Sequence, residues 1–433
     1  MRRSRSRVRG ALRGGMRGTP FGPILALLAL AGLVAGAGCG RKGGNDQASG
    51  QQEVTFWHFW RQEWITPLIT EFERRNPDIH VVDEQLTWQA GQEKIQAAIA
   101  AGQAPDLCEL GSTWLPRFAA SGALMDVTPI ADSLRGEIGH WEPAMQGGRV
   151  YGLPWVVGTR ALFWNRALFR AAGLDTTRAP ATWEELLQAA TRLSARPGVK
   201  GFGLNAGERY VLFKKFMPFA WGNGGEILTP DGQRAAFDSP ANAAALAFYV
   251  QLAKQSLIEK QDVIDRAFMD SQVGMMISGA WNLRVFAEQA PGLEFDVALI
   301  PRPAPKRGRH ASFAGGEYLV VFARSQAVDA ATRLARYLIG RDAAVALCRA
   351  ARSVQPAAMG AEDDPYYRSQ PKDRLFVEQL ATAVAPPPHP RWGEMEEALD
   401  HEIEGALYGR KTPAAAVRDA GSAIDALLAE DRR

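Results

Sequence analysis

Two periods of apolar residues alternate along the first third of the chain. Val54 and Phe56 lie on either side of Thr55, and this period of two predicts a strand, with Phe56 and Phe59 expected in the core. From 65 to 75, apolar residues recur every three or four positions, which predicts an amphipathic helix. The same patterns predict further strands at 79–82 and 106–110 and a helix at 94–101. Strands and helices in this order favour an α/β domain with a largely parallel sheet.

The remaining pattern predicts a second set of strands and helices. The predicted strands are 150–155, 161–165, 202–204, 273–277, 295–301 and 318–322, and the predicted helices are 183–196, 213–221, 240–253, 328–339, 395–407 and 413–428. A chain of 433 residues is too long for one hydrophobic core, so two domains are expected. Gly158-Thr159 separates two apolar strands and suits a change of domain, and the proline- and cation-rich stretch 301–309 suits a linker.

The composition is that of a globular protein, with 46% apolar and 22% charged residues. The formal net charge of +3 arises at the N-terminal end, because residues 1–38 contain seven arginines and no acidic residue. Without these seven, 43 lysines and arginines stand against 47 aspartates and glutamates. A mildly acidic protein gives no electrostatic argument for nucleic acid, which is not expected as a partner.

The first 38 residues predict a signal peptide. A basic segment precedes an apolar run at 24–34, which is short for a stable membrane span. The following Gly36-Ala37-Gly38-Cys39 resembles a lipoprotein processing site, although Gly36 stands where leucine is commonest. The resemblance implies a lipid on Cys39 and a flexible tether at 39–52, which is rich in glycine and polar residues. Ordinary cleavage after a small residue, with Cys39 incidental, is the alternative.

Cys108 and Cys348 are the two cysteines that remain after Cys39. Export leads to an oxidising compartment where these two could pair, but nothing in the sequence fixes their distance. Cys108 lies in a predicted buried strand and Cys348 on a predicted helix, where a free cysteine acts as a small apolar residue. No metal-ligand spacing involves either cysteine, and neither a metal nor another cofactor is expected.

Ligands of parallel α/β sheets collect at the carboxyl ends of the strands. Trp57, His58 and Trp60 lie at this end of the first predicted strand, and Glu109 and Ser112 follow the third. The alternatives are core packing for the tryptophans, a backbone-satisfied imidazole for His58, and capping of the next helix by Ser112. Alternation places His58 and Trp60 on one side of the strand, and we expect these two, before Trp57, to reach a binding cleft.

Several short motifs occur in a characteristic order. They are Phe56-Trp57-His58-Phe59-Trp60, Phe72-Glu73-Arg74-Arg75-Asn76-Pro77-Asp78-Ile79, Ala104-Pro105-Asp106-Leu107, Tyr151-Gly152-Leu153-Pro154-Trp155, Leu162-Phe163-Trp164-Asn165-Arg166, Pro180-Ala181-Thr182-Trp183-Glu184-Glu185-Leu186, Met275-Met276-Ile277-Ser278-Gly279-Ala280-Trp281-Asn282, Phe313-Ala314-Gly315-Gly316 and Gly409-Arg410-Lys411-Thr412-Pro413-Ala414-Ala415-Ala416. Each is weak alone, but together they resemble the bacterial extracellular solute-binding proteins of the sugar-binding kind, which serve ABC importers. The resemblance covers nearly the whole chain after the leader.

This resemblance implies a periplasmic-binding-protein fold, with two discontinuous α/β lobes around a central cleft and segments that cross at a hinge. The N-terminal lobe is expected at 53–158 with 302–353, and the C-terminal lobe at 159–301 with 354–433. It also implies that solute binds in the cleft and that the lobes close around it.

Sugars offer apolar C–H faces to aromatic rings, and hydroxyls to carboxylates, amides and backbone groups. Tryptophans at strand ends or in loops are therefore candidate stacking surfaces, with core packing as the alternative. The further candidates for the cleft are Trp155, Trp221, Trp281, Trp392, Asn282, Gly315, Gly316 and Glu317. The two glycines allow close backbone approach or a tight turn, and Glu317 fits a polar contact or a solvated rim charge. Arg160 and Arg284 could meet an anionic solute, although surface arginine is the commoner explanation.

The function implied by the resemblance is capture of a carbohydrate, either a sugar or an oligosaccharide, and its delivery to the transmembrane permease subunits of an ABC importer. The protein is expected to be a monomer at the periplasm or cell surface, anchored to the membrane through Cys39. No enzyme activity is expected, because no spacing of carboxylates such as Glu109 and Glu317 supports glycoside hydrolysis. The open alternatives are a glycerol phosphate or polyol ligand, a sensor that presents solute to a membrane receptor, and a glycan-active enzyme.

Overall fold

The structure is a computed structural model that describes residues 51–208 and 211–431. The predicted signal peptide, Cys39 and nearly all of the predicted tether lie outside the described residues. The described strands are β1 (Gln52–His58), β2 (Ile79–Gln85), β3 (Leu107–Gly111), β4 (Met145–Gln146), β5 (Arg149–Val150), β6 (Leu153–Gly158), β7 (Arg160–Asn165), β8 (Phe202–Asn205), β9 (Ser256–Glu259), β10 (Met275–Gly279), β11 (Phe295–Ala298), β12 (Ser312–Phe313), β13 (Gly315–Val321), β14 (Gln355–Pro356) and β15 (Ala383–Val384).

Helices account for most of the remaining described chain, and they include every helix predicted from the pattern of apolar residues. They are α1 (Gln62–Arg75), α2 (Gly91–Ala101), α3 (Leu115–Ala120), α4 (Thr128–Asp132), α5 (Arg166–Ala171), α6 (Trp183–Ser194), α7 (Leu212–Gly222), α8 (Pro240–Ala253), α9 (Gln261–Met269), α10 (Trp281–Gln289), α11 (Val328–Ile339), α12 (Arg341–Ala351), α13 (Pro365–Ser369), α14 (Pro371–Leu380), α15 (Trp392–Leu407) and α16 (Pro413–Asp431). In α1 the apolar stripe is buried, as its period predicts.

Six strands form the first sheet, in the order β14-β6-β13-β3-β1-β2. β1 runs parallel to β2 and to β3, as the alternation of strands and helices predicts. β13 lies antiparallel between β3 and β6, and β14 is antiparallel to β6. The prediction of a largely parallel sheet is therefore right for the first three strands and wrong for the whole sheet, because a later part of the chain returns to its centre.

Five strands form the second sheet, in the order β11-β7-β10-β8-β9. β8 is parallel to β9 and β10, whereas β7 is antiparallel to β10 and β11. Alternate residues of β7 enter different cores, because successive side chains of a strand point to opposite faces. Leu162 and Trp164 join the core that contains buried residues of α6, α7, α8, α15 and α16, whereas Phe163 joins the core with Phe268 and Phe286.

The two sheets belong to two lobes, and the chain passes between them after β6, after β11 and after β14. Thr159 is the one residue between β6 in the first sheet and β7 in the second. The lobe boundaries given above stay a prediction; β14 pairs with the first sheet although it lies beyond residue 353. Cys108 and Cys348 are free and buried, which excludes the disulfide left open by the sequence. No helix within 51–208 and 211–431 is long and apolar enough to cross a membrane.

Candidate functional site

Three aromatic rings meet at the carboxyl ends of β2, β1 and β3. Trp88 follows β2, Phe59 follows β1 and Trp114 follows β3. The rings of Phe59 and Trp88 are stacked, with centroids 4.2 Å apart and an interplanar angle of 17°, and the Trp114 ring lies 5.3 Å from that of Trp88. Trp88 is 46% exposed, which is high for so large an apolar side chain. This ring cluster (Phe59, Trp88 and Trp114) therefore offers an accessible apolar face.

Two carboxylates lie beside the ring cluster on neighbouring strands. Leu319 pairs with Glu109 and Glu317 pairs with Gly111, so both glutamates point to the same face of the sheet as diagonal neighbours. Oε2 of Glu109 accepts a hydrogen bond of 2.7 Å from the backbone N–H of Phe59, which ties the carboxylate to the ring cluster. The other oxygen, Oε1 of Glu109, is buried without a partner, and so is Oε2 of Glu317.

Burial controls the charge of these two carboxyl groups. It raises the pKa of the Glu317 carboxyl to about 7, against the opposing attraction of Arg160 and Lys214. It raises the pKa of Glu109 well above the usual range, and the nearby Glu317 charge adds to this rise. The pair can therefore hold a proton near neutral pH, and each member retains an oxygen that can accept a hydrogen bond from a bound molecule.

The second lobe presents cations and a tryptophan to this region. The guanidinium carbon of Arg160, at the start of β7, lies 4.7 Å from the ring centroid of Trp281 and 5.3 Å from that of Phe313. Its Nη1 donates to the Thr159 carbonyl oxygen at 3.2 Å, while its Nε is buried without a partner. The ammonium of Lys214, on α7, lies 5.5 Å from the same Phe313 ring. Burial lowers the pKa of Arg160 to about 10 and also lowers the pKa of Lys214.

Charged groups of the two lobes thus face one another without touching. Arg160 and Lys214 both affect the pKa of Glu317, yet no ion pair within 4.0 Å joins either cation to Glu317 in the part of the chain that the structure describes. Unpaired donors on one side and unpaired acceptors on the other are what a molecule rich in hydroxyl groups needs, because each hydroxyl both donates and accepts. The ring cluster adjoins this gap through Glu109.

Two segments that pass between the lobes, at Thr159-Arg160 and at Ser312-Phe313, are joined by hydrogen bonds beside this gap. Oγ1 of Thr159 lies 2.8 Å from both Oγ of Ser312 and the carbonyl oxygen of Phe313. Oγ of Ser312 lies 2.8 Å from the Arg160 carbonyl oxygen and 3.1 Å from its amide nitrogen. Thr159 and Ser312 are both buried. The two segments therefore form one hydrogen-bonded unit, and Arg160 is part of it.

Six residues predicted from the sequence lie together in this region: Glu109, Ser112, Trp281, Gly315, Gly316 and Glu317. The backbone N–H of Ser112 donates to the carbonyl oxygen of Gly316 at 2.8 Å, and Oγ of Ser112 accepts from the backbone N–H of Gly316 at 3.3 Å. The alternative that Ser112 caps the next helix is wrong, because α3 has no side-chain cap. A Cβ on Gly315 would lie 2.5 Å from the Phe313 ring, and one on Gly316 would lie 2.5 Å from the Val156 carbonyl oxygen. Packing therefore explains both glycines without a ligand.

The histidine favoured by the sequence holds the sheet together. His58 is fully buried, and its Nε2 lies 3.0 Å from Oδ2 of Asp83 on β2. Burial lowers the pKa of its imidazole, which Asp83 only partly offsets. With no exposed atom, His58 has a structural role in this conformation, which corrects the expectation that it reaches the cleft.

The neighbouring Trp57 and Trp60 also contact other side chains of the first lobe. Lys94 lies over the Trp57 ring, 4.5 Å from its centroid. The ring of Trp60, which is 8% exposed, lies 6.1 Å from that of Trp155 and 6.3 Å from that of Trp64. Packing among rings therefore accounts for Trp60, which corrects its place among the first candidates.

Four further candidates lie inside the protein. Trp155 belongs to the first core, and Trp221 and Trp392 to the second, with no more than 2% of any side chain exposed. Trp392 donates from Nε1 to Oε2 of Glu396 at 2.8 Å. Nδ2 of Asn282, also buried, lies 2.7 Å from Oδ1 of Asp265. None of the three rings has an exposed face, so the expectation that they are stacking surfaces is corrected to core packing.

The main members of the site are not among the cleft residues predicted from the sequence. Trp88 and Trp114 follow β2 and β3, so the strand-end argument used for Trp60 also applied to them. Phe59 is buried in the first core, as expected, and its ring also stacks on the exposed Trp88. A surface position is the commoner explanation for an arginine such as Arg160, although Arg160 directly follows Thr159, where the chain passes between the lobes. Lys214 lies in an apolar helix, and nothing in its local pattern indicates a binding role.

Comparison with known proteins gives consistent matches. A model of the bacterial extracellular solute-binding protein family matches residues 60–345. The diacetylchitobiose binding protein DasA of Streptomyces coelicolor is 26% identical over 335 residues, which cover 71% of this chain and 76% of that protein. The sn-glycerol-3-phosphate-binding periplasmic protein UgpB of Escherichia coli is 24% identical over 401 residues, which cover 83% and 89%. An ABC transporter solute-binding protein of Thermotoga lettingae, bound with alpha-D-tagatose, has a TM-score of 0.78 at 28% identity, covering 87% of this chain and all of that one.

Proposed function

Because this chain belongs to the bacterial extracellular solute-binding proteins, we propose that it captures a carbohydrate between its two lobes and delivers it to the permease of an ABC importer. The observation that carries this proposal is the gap between Glu317 of the first lobe and the cations Arg160 and Lys214 of the second. Each of these groups lacks an ion-pair partner across the gap, and the ring cluster adjoins it. Apolar sugar faces match the rings, and hydroxyls match the unpaired polar atoms.

In this mechanism the solute joins the lobes. A sugar bound to the ring cluster and to Glu109 and Glu317 uses only first-lobe groups while the lobes are apart. When the lobes close, Arg160, Lys214 and Trp281 add their contacts. The solute therefore has a higher affinity for the closed state and shifts the population toward it. The permease would then recognise the closed shape.

A thermal-shift screen tests the ligand class. We expect at least one member of a panel containing diacetylchitobiose, tagatose, maltotriose and simple polyols to raise the melting temperature, because a ligand bound only to the folded state stabilises it. The matched pair Arg160→Gln and Arg266→Gln distinguishes the site, since Arg266 is an exposed residue of α9 paired with Asp270, the residue directly after that helix. The rise should shrink in the first variant and persist in the second. The sugar assignment fails if no carbohydrate raises the melting temperature while another ligand class does.

Glycerol phosphate is the second candidate. Arg160 and Lys214 are cations without a carboxylate in ion-pair contact across the gap, and a phosphate suits such groups. UgpB, a related protein, is named for binding sn-glycerol 3-phosphate. In the same screen, glycerol 3-phosphate should then raise the melting temperature where neutral glycerol does not.

We further propose that the protein is not an enzyme, which the binding roles of its relatives support. Incubating it with the identified glycan and analysing the products distinguishes binding from hydrolysis by Glu109 and Glu317. Any enzyme-dependent release of shorter sugars would overturn this proposal. A sensor role is the remaining alternative to import, and adjacency of permease genes would favour import.

The lipid anchor on Cys39, a monomeric state and a periplasmic or surface location are also proposals. The lipoprotein-like residues at 36–39 support the anchor. Cys39→Ser should move the protein from the membrane fraction to the soluble fraction, and an unchanged distribution would contradict lipidation.

A further inference from the structure

One arginine of the second lobe reaches into the first lobe away from the charged gap. Arg284 lies in the first turn of α10, and its side chain is only 15% exposed. Its guanidinium carbon lies 5.0 Å from the ring centroid of Trp64, on α1. Its Nε donates a hydrogen bond of 3.2 Å to the carbonyl oxygen of Ala351, the last residue of α12. A single side chain therefore contacts two helices of the opposite lobe.

Arg284 contacts the C-terminal end of α12, which is the end of a helix that attracts a cation. The last carbonyl groups of a helix lack intrahelical partners and carry a partial negative charge. The helix α12 ends at Arg352, whose backbone adopts the left-handed conformation and whose side chain forms an ion pair with Asp373. The guanidinium of Arg284 thus satisfies a carbonyl that α12 cannot satisfy by itself.

Both sides of this contact are fixed within their own lobes. Glu288, one turn further along α10, lies 3.0 and 3.2 Å from Nη1 of Arg284 and orients the guanidinium. The Trp64 ring packs 6.3 Å from Trp60, whose ring lies 6.1 Å from the buried Trp155. A cation held on one lobe therefore meets a ring held by the core of the other.

We propose that Arg284 is a positioning residue that latches the lobes together and stabilises the closed state without contacting solute. The proposal rests on the lobe closure of the proposed function. Separating the lobes would remove the contacts with Trp64 and Ala351, whereas the Glu288 contact within α10 would remain. Contacts present in only one of two states shift the equilibrium toward that state. Arg284 therefore sets how far the empty protein is already closed, and through this its affinity for any solute.

Ligand-free fluorescence energy transfer tests the latch. Dyes placed on Glu93→Cys of α2 and Asp262→Cys of α9, both exposed positions, report the distance between lobes. Of the native cysteines, Cys108 and Cys348 are buried, and Cys39→Ser removes the third. We expect Arg284→Gln to lower the ratio of closed to open molecules about tenfold, since a cation–π contact and a charged hydrogen bond are lost. Trp64→Leu should shift the ratio in the same direction and by less. Arg284→Lys keeps the charge but not the planar group, and should be intermediate.

The control is Arg266→Gln, which removes an exposed arginine paired with Asp270, the residue directly after α9, and should leave the distance distribution unchanged. A distribution identical to that of the original protein in both Arg284→Gln and Trp64→Leu would overturn the proposal. If Arg284→Gln fails to fold, Trp64→Leu decides alone. The measurement needs no solute, so it stands even if the carbohydrate assignment fails, and the thermal-shift screen can succeed even if the latch does not exist.

Discussion

Two groups of aromatic rings in this protein have opposite environments. In the second-lobe core, Trp221 and Trp392 are at most 2% exposed and pack among other apolar side chains. At the carboxyl ends of β1 and β2 in the first sheet, Trp88 is 46% exposed and is stacked on Phe59. Both groups lie close to the ends of secondary-structure elements. Position next to such an end therefore does not decide whether a tryptophan serves packing or binding.

The difference lies in what surrounds the ring. Trp392 packs against Phe213, with ring centroids 5.3 Å apart, and its indole N–H is bonded to Glu396. Trp88 contacts the rings of Phe59 and Trp114 and is still 46% exposed, and Glu109 and Glu317 on β3 and β13 keep unpaired oxygens. A ring with satisfied polar atoms and no open face adds stability, whereas a ring with an open face beside unpaired polar atoms is available to a ligand. Four substitutions test this distinction, from the largest expected effect to the smallest.

Trp392→Ala should destabilise the protein most. Removing a fully buried tryptophan leaves a cavity and breaks the indole hydrogen bond to Glu396, and we expect a loss of about 3–5 kcal/mol in the free energy of unfolding. Urea unfolding followed by circular dichroism measures it. A loss below about 1 kcal/mol would show that this ring is not part of a tightly packed core.

Trp88→Ala should instead act on binding. We expect the affinity for the sugar identified in the panel to fall about 10–100-fold, since an aromatic anchor contributes about 1.4–2.7 kcal/mol at such a site. Isothermal titration calorimetry measures the affinity. The melting temperature of the empty protein should stay within a few degrees, because the ring is half exposed. Trp88→Phe, which keeps a ring, serves as the matched control, and an unchanged affinity in Trp88→Ala would remove Trp88 from the site.

Glu317→Gln should change how stability depends on pH. The native carboxyl keeps its proton up to a pKa of about 7, whereas the unfolded chain releases it near 4.5. The stabilisation from this group is therefore full below about pH 4.5 and is lost as the pH rises to about 7. The melting temperature of the original protein should fall relative to that of Glu317→Gln over this range, by about 2–4 °C per kcal/mol. Parallel curves for the two proteins would contradict the raised pKa.

Lys94→Gln should have the smallest effect. It removes the cation over Trp57, a contact of about 0.5–1 kcal/mol at an exposed site, and should leave sugar affinity unchanged. Calorimetric titration of this variant beside Trp88→Ala measures the difference. A loss of affinity as large as that of Trp88→Ala would return Trp57 to the binding site.

Much of the fold could be predicted because it depends on local pattern. The stripe of α1 and the alternation of β1 repeat with the periods of a helix and a strand, and the structure places both as expected. The fold family followed from the order of short motifs. The antiparallel return of β13 could not be predicted from its own residues, because strand direction depends on partners more than a hundred residues away.

The candidate site was harder to predict, and the errors have physical causes. His58 and Asp83 belong to neighbouring strands, so their contact depends on the register between β1 and β2. Phe59 lies in the core, as expected, but its stacking on Trp88 depends on where the chain after β2 places that ring. The local sequence predicts Glu109 and Glu317 as separate candidates, but their proximity depends on the pairing of β3 with β13.

The position of β13 has a consequence for how the chain is made. This strand fills the gap between β3 and β6, yet it begins only at Gly315, and β14 follows still later at Gln355. A chain that grows from its N-terminus therefore cannot complete the first sheet until most of its length has emerged. Such distant pairings slow folding. The delay keeps the early segments unfolded for longer, which is the condition in which a polypeptide can still be threaded through a narrow secretion channel.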